Sequence, residues 1–167
     1  MATKTKKSPK EVQPEDTSSF EVFEASPFDL DQLATLFDAY RQFYRQASDI
    51  AGAREFLSAR MKNKDSVIFI AANEDGELVG FTQLYPLLSS VGMKKIWLLN
   101  DLFVDNGNRR KGISKLLIQR CKKYAGDTNA NGLHLETEKS NTIGNQLYPS
   151  EGFDLNTTSN FYFWSCK

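Results

Sequence analysis

The sequence has two cysteines, one histidine, no excess of charge of either sign and no long apolar run. Two cysteines are too few for a disulfide framework, and the spacing of Cys121 and Cys166 matches no metal site. We therefore expect no bound metal and a cytoplasmic protein in a reducing compartment. The one histidine, His134, lies between two leucines, and strand alternation predicts that it points away from them, to the surface or to a junction between elements.

The balance of charge excludes further classes of function. The 21 basic residues match 21 acidic ones, which argues against a nucleic-acid-binding surface as the main function. No apolar run approaches the roughly 18 residues that a membrane span requires. The lysines near the N-terminus are not followed by the apolar segment of a secretory signal. We expect no nucleic acid and no membrane among the partners.

The chain of 167 residues suits one domain with its own core. Residues 1–19 are rich in lysine, serine, threonine, glutamate and proline and nearly lack large apolar side chains. Such a segment buries too little surface to offset its ordering entropy, which predicts a flexible basic and polar tail. Residues 20–167 are predicted to form the single domain.

The apolar pattern predicts strands that alternate with helices. The expected architecture is an α/β fold with a mixed, mostly antiparallel sheet, and the strand–helix–strand order at its centre predicts one parallel pair. Helices are expected after Asp29 and at residues 53–62, 113–124 and 142–148. Strands are expected at residues 20–25, 67–72, 78–85, 94–104, 133–137 and 159–165.

The most informative segment joins an apolar strand, residues 99–104, to a basic turn that opens a helix. The free N–H groups at a helix N-terminus and the positive end of the helix dipole attract anions. This turn is predicted to hold a phosphate or pyrophosphate, although it matches neither GxxxxGK[ST] nor GxGxxG. The turn consists of Arg109, Arg110, Lys111, Gly112, Ile113 and Ser114.

The spacing Arg-x-x-Gly-x-small resembles the acetyl-coenzyme A signature of the GNAT superfamily of N-acetyltransferases. Arg109, Gly112 and Ser114 occupy its defined positions, with Ser114 in place of the usual glycine or alanine. Residues 141–153 resemble a second motif of this superfamily, Asn-x-x-Ala-x-x-Leu-Tyr-x-x-x-Gly-Phe, with Gly144 in place of the alanine. The chain is thus similar to this superfamily in two separate segments that occur in the expected order.

The resemblance implies a GNAT-type sheet of about seven strands flanked by about four helices. It also implies transfer of the acetyl group of acetyl-CoA, as co-substrate, to a primary amine by direct attack in a ternary complex. The basic turn would hold the pyrophosphate, and the pantetheine arm would run along the fourth strand. Further implied contacts to acetyl-CoA are Leu102, Phe103, Val104, Asn141 and Tyr148.

The catalytic groups are also implied by the resemblance. Tyr148 matches the general-acid tyrosine of the superfamily, and Pro149 predicts that the helix ends at Tyr148. Asn100 stands where several branches, including the diamine acetyltransferases, have a glutamate. The general base is therefore Asp101, Glu136 or no dedicated side chain.

The acceptor is open to three interpretations. A small-molecule amine is favoured because the uncharged chain offers no strong field to gather a basic polymer. A protein or peptide acceptor is one alternative, and a non-catalytic acyl-CoA sensor is another. Residues 40–45, aromatic and basic, either wall the acceptor site or form a solvated helix end. The aromatic residues 161–164 predict a homodimer contact.

Overall fold

The computed structural model describes residues 19–166, so the proposed tail at residues 1–19 lies outside the described residues except for Ser19. Four helices and five strands follow one another within the described part. The helices are α1 (Leu30–Phe43), α2 (Ile50–Asn63), α3 (Ile113–Asp127) and α4 (Thr142–Ser150). The strands are β1 (Phe20–Glu24), β2 (Val67–Asn73), β3 (Leu78–Ser89), β4 (Lys94–Val104) and β5 (Leu133–His134).

The strands form one mixed sheet in the order β1-β2-β3-β4-β5. Neighbouring strands are antiparallel except β4 and β5, which α3 connects as a parallel pair. Ile68 and Ile70 of β2 pack with α1 and α2 on one face, whereas Phe69 and Ala71 pack with α3 on the other. The predicted α/β fold with a mixed, mostly antiparallel sheet and one parallel pair is therefore confirmed, and the parallel pair lies at the β5 end of the described sheet. Within residues 19–166, no helix has the length and apolarity needed to cross a membrane.

A bulge at Asn100 interrupts β4. Gln83 of β3 pairs with Asp101, and the next β3 residue, Leu84, pairs with Leu99, so Asn100 has no partner on β3. One extra residue reverses the alternation of side chains along a strand. Leu99 consequently packs in the core beneath α3, whereas Asp101 faces α1.

The strand β5 is shorter than the predicted 133–137. Only Leu133 and His134 pair with β4, opposite Trp97 and Leu98. The ladder ends just before the bulge, because the extra residue at Asn100 bends β4. His134 is exposed, as predicted.

The predicted strand at residues 159–165 is wrong. This segment has no regular secondary structure, and the sheet has five strands within residues 19–166 rather than about seven. Aromatic side chains favour strands only where neighbouring strands cover them. Between 72% and 84% of the surface of each aromatic side chain in this segment is exposed. These residues are Phe161, Tyr162, Phe163 and Trp164.

The predicted end of α4 at Tyr148 is also wrong, since the helix continues through Pro149 to Ser150. A proline in the last turn removes only one intrahelical hydrogen bond. The N–H of Gly152 donates to the carbonyl of Pro149, and the N–H of Phe153 donates to the carbonyl of Tyr148, both over 3.0 Å. Gly152 has a φ of 76°, so these bonds form a Schellman cap that satisfies the carbonyls of the last turn.

Candidate active site

A cavity of about 860 Å³ is bordered by β4, the end of α1, the start of α3, the chain after β5, and α4. It brings together most of the predicted site residues. Asp101 and Lys111 do not border it, and the Lys111 ammonium instead donates to Asn108 over 2.8 Å. The predicted residues that border the cavity are Leu102, Phe103, Val104, Arg109, Arg110, Gly112, Ile113, Ser114, Glu136, Asn141 and Tyr148.

One end of the cavity is the turn before α3. Arg110 and Gly112 both have left-handed backbone conformations, with φ of 64° and 79°. Within residues 19–166, none of the backbone N–H groups from Arg110 to Ser114 donates a hydrogen bond to the protein. A series of free amides around left-handed residues at a helix N-terminus binds anions such as phosphate. The turn therefore has the donors that a pyrophosphate requires.

A glycine allows α3 to begin close to the sheet. A Cβ atom on Gly80 would lie 3.0 Å from the carbonyl oxygen of Phe103 and 3.3 Å from side-chain atoms of Ile113 and Leu117. Only a residue without a side chain leaves room for this approach. Gly80 thus sets the position of the amide turn relative to β4.

Arg109 connects the turn to the wall of the cavity. Its guanidinium lies over the rings of Phe43 and Phe103, at 5.4 and 5.8 Å from their centroids. Its Nε donates to the carbonyl of Val104 over 3.1 Å. The guanidinium has further N–H donors, which keep it available to an anion in the cavity.

The middle of the cavity runs along the edge of β4. Pairing with β5 stops at Leu98, whereas β4 continues to Val104. On the side of β5, the edge of β4 after Leu98 therefore has no strand beside it within the described residues, while its other edge pairs with β3. An uncovered strand edge accepts an extended chain through main-chain hydrogen bonds. The opening suits the pantetheine arm that the sequence motifs imply.

The other end of the cavity is aromatic and covers a buried carboxyl group. Tyr40 of α1 and Tyr44, which caps the end of that helix, pack with ring centroids 5.1 Å apart. The Tyr40 hydroxyl donates to Oδ1 of Asp101 over 2.7 Å, and Nδ2 of Asn100 donates to Oδ2 over 3.1 Å. Burial raises the pKa of Asp101, although these two hydrogen bonds act to lower it. Burial, followed by the Asp101 charge, also raises the pKa of Tyr40.

Tyr148 enters the same cavity from α4. Its ring packs edge-on against Phe153, with centroids 5.9 Å apart, and its carbonyl is held by the Schellman cap described above. Burial, with a smaller contribution from Tyr44, raises the pKa of Tyr148, so the phenol keeps its proton at neutral pH.

Asn141 fixes the start of α4. Its Oδ1 accepts from the N–H of Gly144 over 3.0 Å, and its Nδ2 donates to Thr137 over 2.9 Å. The side chain is therefore the N-cap of the helix that carries Tyr148. A Cβ on residue 144 would lie 2.6 Å from Nδ2 of Asn141, so the present conformation of the Asn141 side chain requires the glycine.

A buried carboxylate holds the loop between α1 and α2. Asp38 accepts hydrogen bonds from the backbone N–H of Asp49, from Ser48 and from Gln42. These bonds, led by the one from Asp49, lower the pKa of Asp38 against the effect of burial. The loop follows directly after Tyr44, so the network supports the aromatic wall of the cavity.

Tyr40 belongs to the segment at residues 40–45 that the sequence leaves as either a wall of the acceptor site or a solvated helix end, but its pairing with Asp101 was not predicted, because its helical spacing indicates a core position. Its hydroxyl meets Asp101, which is 61 residues away along the chain. The one available signal is the hydroxyl of Tyr40 on an otherwise apolar helix face. Strand alternation alone does not tell which face of the sheet the Asp101 carboxylate points to.

The chain belongs to the GNAT family of acetyltransferases. The family model described as "Acetyltransferase (GNAT) family" matches residues 33–153. These residues include α3 with its amide turn, the uncovered edge of β4, and α4. The protein is thus an acetyltransferase whose acetyl donor is acetyl-CoA, and it is similar to enzymes named as N-acetyltransferases.

Relatives and solved structures agree with this family. "Uncharacterized N-acetyltransferase YhfO" of Bacillus subtilis (strain 168) is 49% identical over 134 residues, which are 80% of this chain and 89% of that protein. A "Probable acetyltransferase" of Haemophilus influenzae is 35% identical over 81% of this chain and 90% of its own. A crystal structure of a probable acetyltransferase superposes with a TM-score of 0.84 at 34% identity, covering 88% of this chain and 98% of the other.

An aminoglycoside N-acetyltransferase, AAC(6')-Iy, solved in complex with CoA, has the same fold with a TM-score of 0.75. The identity is 17%, over 88% of this chain and 95% of that one, so the likeness concerns the fold alone.

Proposed function

We propose that the protein transfers the acetyl group of acetyl-CoA to a primary amine on a small molecule, by direct attack in a ternary complex. The observation that carries this proposal is the continuity of one cavity. It joins the free amides before α3, the uncovered edge of β4, and an aromatic chamber that contains Tyr148. Acetyl-CoA and the acceptor amine would thus occupy opposite ends of the same cavity.

Each part of the cavity has a role in this reaction. The amides of residues 110–114 hold the pyrophosphate, with Arg109 at the cavity and Lys111 outside its lining as supporting charges. The β4 edge at Leu102 and Val104 holds the pantetheine arm, and a main-chain N–H near Leu102 polarises the thioester carbonyl. An aligned donor of this kind contributes about 2.7–4 kcal/mol to a tetrahedral transition state. Tyr148 then gives its proton to the departing thiolate.

The amine must also lose a proton, since only about 0.04% of an alkylamine with a pKa of about 10.4 is neutral at pH 7. Asp101 and Glu136 are the proposed carboxylates for this step. Glu136 is exposed and borders the cavity, whereas Asp101 lies beneath Tyr40.

The acceptor end favours a small cationic molecule. A second cavity of about 290 Å³ adjoins the first through Phe43, Tyr44 and Asn141, and Glu138 borders it. Carboxylates and aromatic faces both attract ammonium groups. The larger cavity is within the range of about 300–1,000 Å³ that is usual for small-molecule sites. The aminoglycoside acetyltransferases that share this fold are named for small-molecule amines, which supports the same class of acceptor.

The deciding experiment measures release of the CoA thiol from acetyl-CoA with polyamines, amino acids, aminoglycosides and lysine-containing peptides. We expect release that depends on a small amine. Release with peptides alone would replace the small molecule by a protein acceptor. Silence with all acceptors, while acetyl-CoA still binds, would favour an acyl-CoA sensor. The Arg109→Glu variant, expected to weaken acetyl-CoA binding, tests the placement of the pyrophosphate.

We further propose that the protein is a cytoplasmic homodimer with a single domain at residues 20–167. The exposed aromatic residues of the C-terminal segment support a contact with a second copy, because such a patch is unfavourable in water. Two cysteines without a disulfide, Cys121 and Cys166, fit a reducing compartment.

A further inference from the structure

A hydrogen bond connects the cavity to a carboxyl group that lies outside it. Asp101 is 7% exposed and does not border the cavity, whereas Tyr40 does. The Tyr40 hydroxyl donates to Oδ1 of Asp101 over 2.7 Å, and Asn100 donates to Oδ2. Both oxygens therefore accept hydrogen bonds, and the shorter of the two comes from a phenol on the wall of the cavity.

We propose that Tyr40 and Asp101 form a relay that removes the proton from the acceptor amine. In this step an N–H bond of the ammonium breaks, and its proton binds to the hydroxyl oxygen of Tyr40. The O–H bond of Tyr40 breaks at the same time, and that proton binds to Oδ1 of Asp101. A neutral amine, a neutral phenol and a carboxylic acid result, so atoms and charge balance. Asp101 returns the proton to solvent by the reverse path after the product leaves.

This relay rests on the amine acetylation proposed above. The surroundings of Tyr40 and Asp101 favour the proton transfer. Burial raises the pKa of Asp101, and its carboxylate therefore accepts a proton more readily than a solvated one. The pKa of Tyr40 is raised by burial and by Asp101, so the phenol does not ionise. Tyr40 consequently passes a proton on without storing a negative charge. It is a catalytic residue, since it touches the amine, and Asp101 is the proton acceptor behind it.

The titratable groups around the pair are phenols. Tyr44 packs against Tyr40, Tyr148 borders the same cavity, and Tyr85 lies near Asp101. Burial raises the pKa of all three, so they stay neutral across the pH range in which a carboxyl group titrates. The charged groups beyond this ring are Glu138 next to Tyr44, Glu136 at the cavity, and Arg60 and Asp65 next to Tyr85.

The bulge at Asn100 makes this relay possible. If Asn100 were instead paired with β3 in a regular ladder, the alternation along β4 would place Asp101 on the face of Leu99, beneath α3 and away from Tyr40. The bulge thus turns the carboxyl group to α1, and Asn100 itself holds the second oxygen. One irregularity in the strand supplies both the direction and the hydrogen bond.

The test is the pH dependence of kcat/KM for an accepted amine in the wild-type protein and in Tyr40→Phe. In the wild-type protein we expect kcat/KM to rise with pH as Asp101 ionises and then to stay constant at a plateau. It stays constant because the relay can take the proton from the charged amine, which is the main form at these pH values. In Tyr40→Phe only the neutral amine reacts, so kcat/KM no longer becomes constant above the pKa of Asp101. The value then falls by roughly 100-fold at neutral pH and climbs towards the amine pKa of about 10.4.

Two further variants complete this test. Asp101→Asn interrupts the relay from its buried end and is expected to lose the plateau too, which keeps the relay testable if Tyr40→Phe does not fold. Tyr85→Phe makes the same chemical change beside Asp101 but outside the cavity, and it should keep the wild-type profile. Circular dichroism and acetyl-CoA affinity establish that each variant is folded.

The outcomes separate the relay from the proposed function. A Tyr40→Phe variant that keeps the plateau, or that loses the same factor at every pH, overturns the relay and leaves Glu136 or bulk water as the base. A wild-type protein without amine-dependent release of CoA overturns the proposed function itself, and the relay with it.

Discussion

Tyr148 shows how much of a catalytic role depends on the surroundings of one side chain. Its phenol faces the cavity, its ring is supported by Phe153, and burial raises its pKa. It therefore carries a proton at neutral pH and can give it to a thiolate. A thiol has a pKa of about 8.5, so this help is worth less than oxyanion stabilisation.

We expect Tyr148→Phe to lower kcat by roughly 100-fold, at the small end of the range for general acids. Acetyl-CoA affinity should stay unchanged, because the ring and its packing remain. Steady-state kinetics together with calorimetric titration of acetyl-CoA measure both quantities. Tyr124→Phe is the control, since this tyrosine packs against Phe69 and Trp97 away from the cavity. Equal kcat in Tyr148→Phe and wild type would remove Tyr148 from catalysis.

Local and long-range contacts differ in how well the sequence predicts them. Arg109 and Gly112 are recognisable because their roles depend on neighbours within a single turn. Asp101 and Tyr40 meet across 61 positions, and a one-residue bulge decides whether they face each other. No pattern within either segment contains that information. The direction of Asp101 therefore needed the structure.

At the scale of elements, the position of α3 relative to the sheet determines where the amide turn lies. Gly80 permits the approach, since a Cβ there would meet backbone and side-chain atoms at 3.0–3.3 Å. A helix that moves outward takes the pyrophosphate site with it.

We expect Gly80→Ala to destabilise the fold by about 1–3 kcal/mol and to weaken acetyl-CoA binding on the order of tenfold. Urea unfolding and acetyl-CoA titration provide the two measurements. Gly126→Ala is the matched control on the far end of α3, where a Cβ meets nothing within 4 Å. It should stabilise the protein by about 0.5 kcal/mol with unchanged binding. Unaltered acetyl-CoA affinity in Gly80→Ala would show that the turn tolerates a shift of α3.

The loop between α1 and α2 depends on Asp38. We expect Asp38→Asn to lower the free energy of unfolding by about 2 kcal/mol at neutral pH. The substitution replaces one accepting oxygen by an NH₂ group, which then faces other hydrogen-bond donors. The folded-state pKa of Asp38 lies below its ordinary value of 3.8, so its stabilisation is complete above that pH and is lost as the pH falls through the lower pKa.

Denaturant unfolding over a pH series measures this effect, and the difference between wild type and Asp38→Asn should shrink in acid. Asp31→Asn on the same helix is the control, since its exposed ion pair with Arg54 contributes little. A difference that stays constant down to acid pH would contradict the role of the Asp38 charge.

Element boundaries were predictable where caps and periodicity are local. The start of β4 and its end at Val104 agree with the sequence pattern. The end of α4 was misjudged because Pro149 signals a stop, whereas the following Gly152 and Phe153 supply a cap that tolerates it. The strand at residues 159–165 was misjudged because strand formation depends on a partner that the segment itself does not reveal.

For the whole molecule, the exposed C-terminal aromatic residues bear on assembly. We expect the wild-type protein to sediment as a dimer and the double variant Phe161→Ser, Phe163→Ser to sediment as a monomer, because the proposed contact loses apolar area. Sedimentation velocity over a range of concentrations measures this. Leu88→Ser, at an equally exposed apolar position near the tip of the β3–β4 hairpin, should leave the dimer intact. A monomeric wild type would contradict the proposed contact.

The bulge at Asn100 also separates folding from function within one strand. If this residue were deleted, Leu99 and Asp101 would become neighbours in a regular ladder and would still point to their present faces. The core would keep its composition, but β4 would lose the bend that ends its pairing with β5. One extra residue in β4 therefore opens a substrate site beside a strand that would otherwise only pair with its neighbours. Deletion of a single codon would close that opening without changing the core.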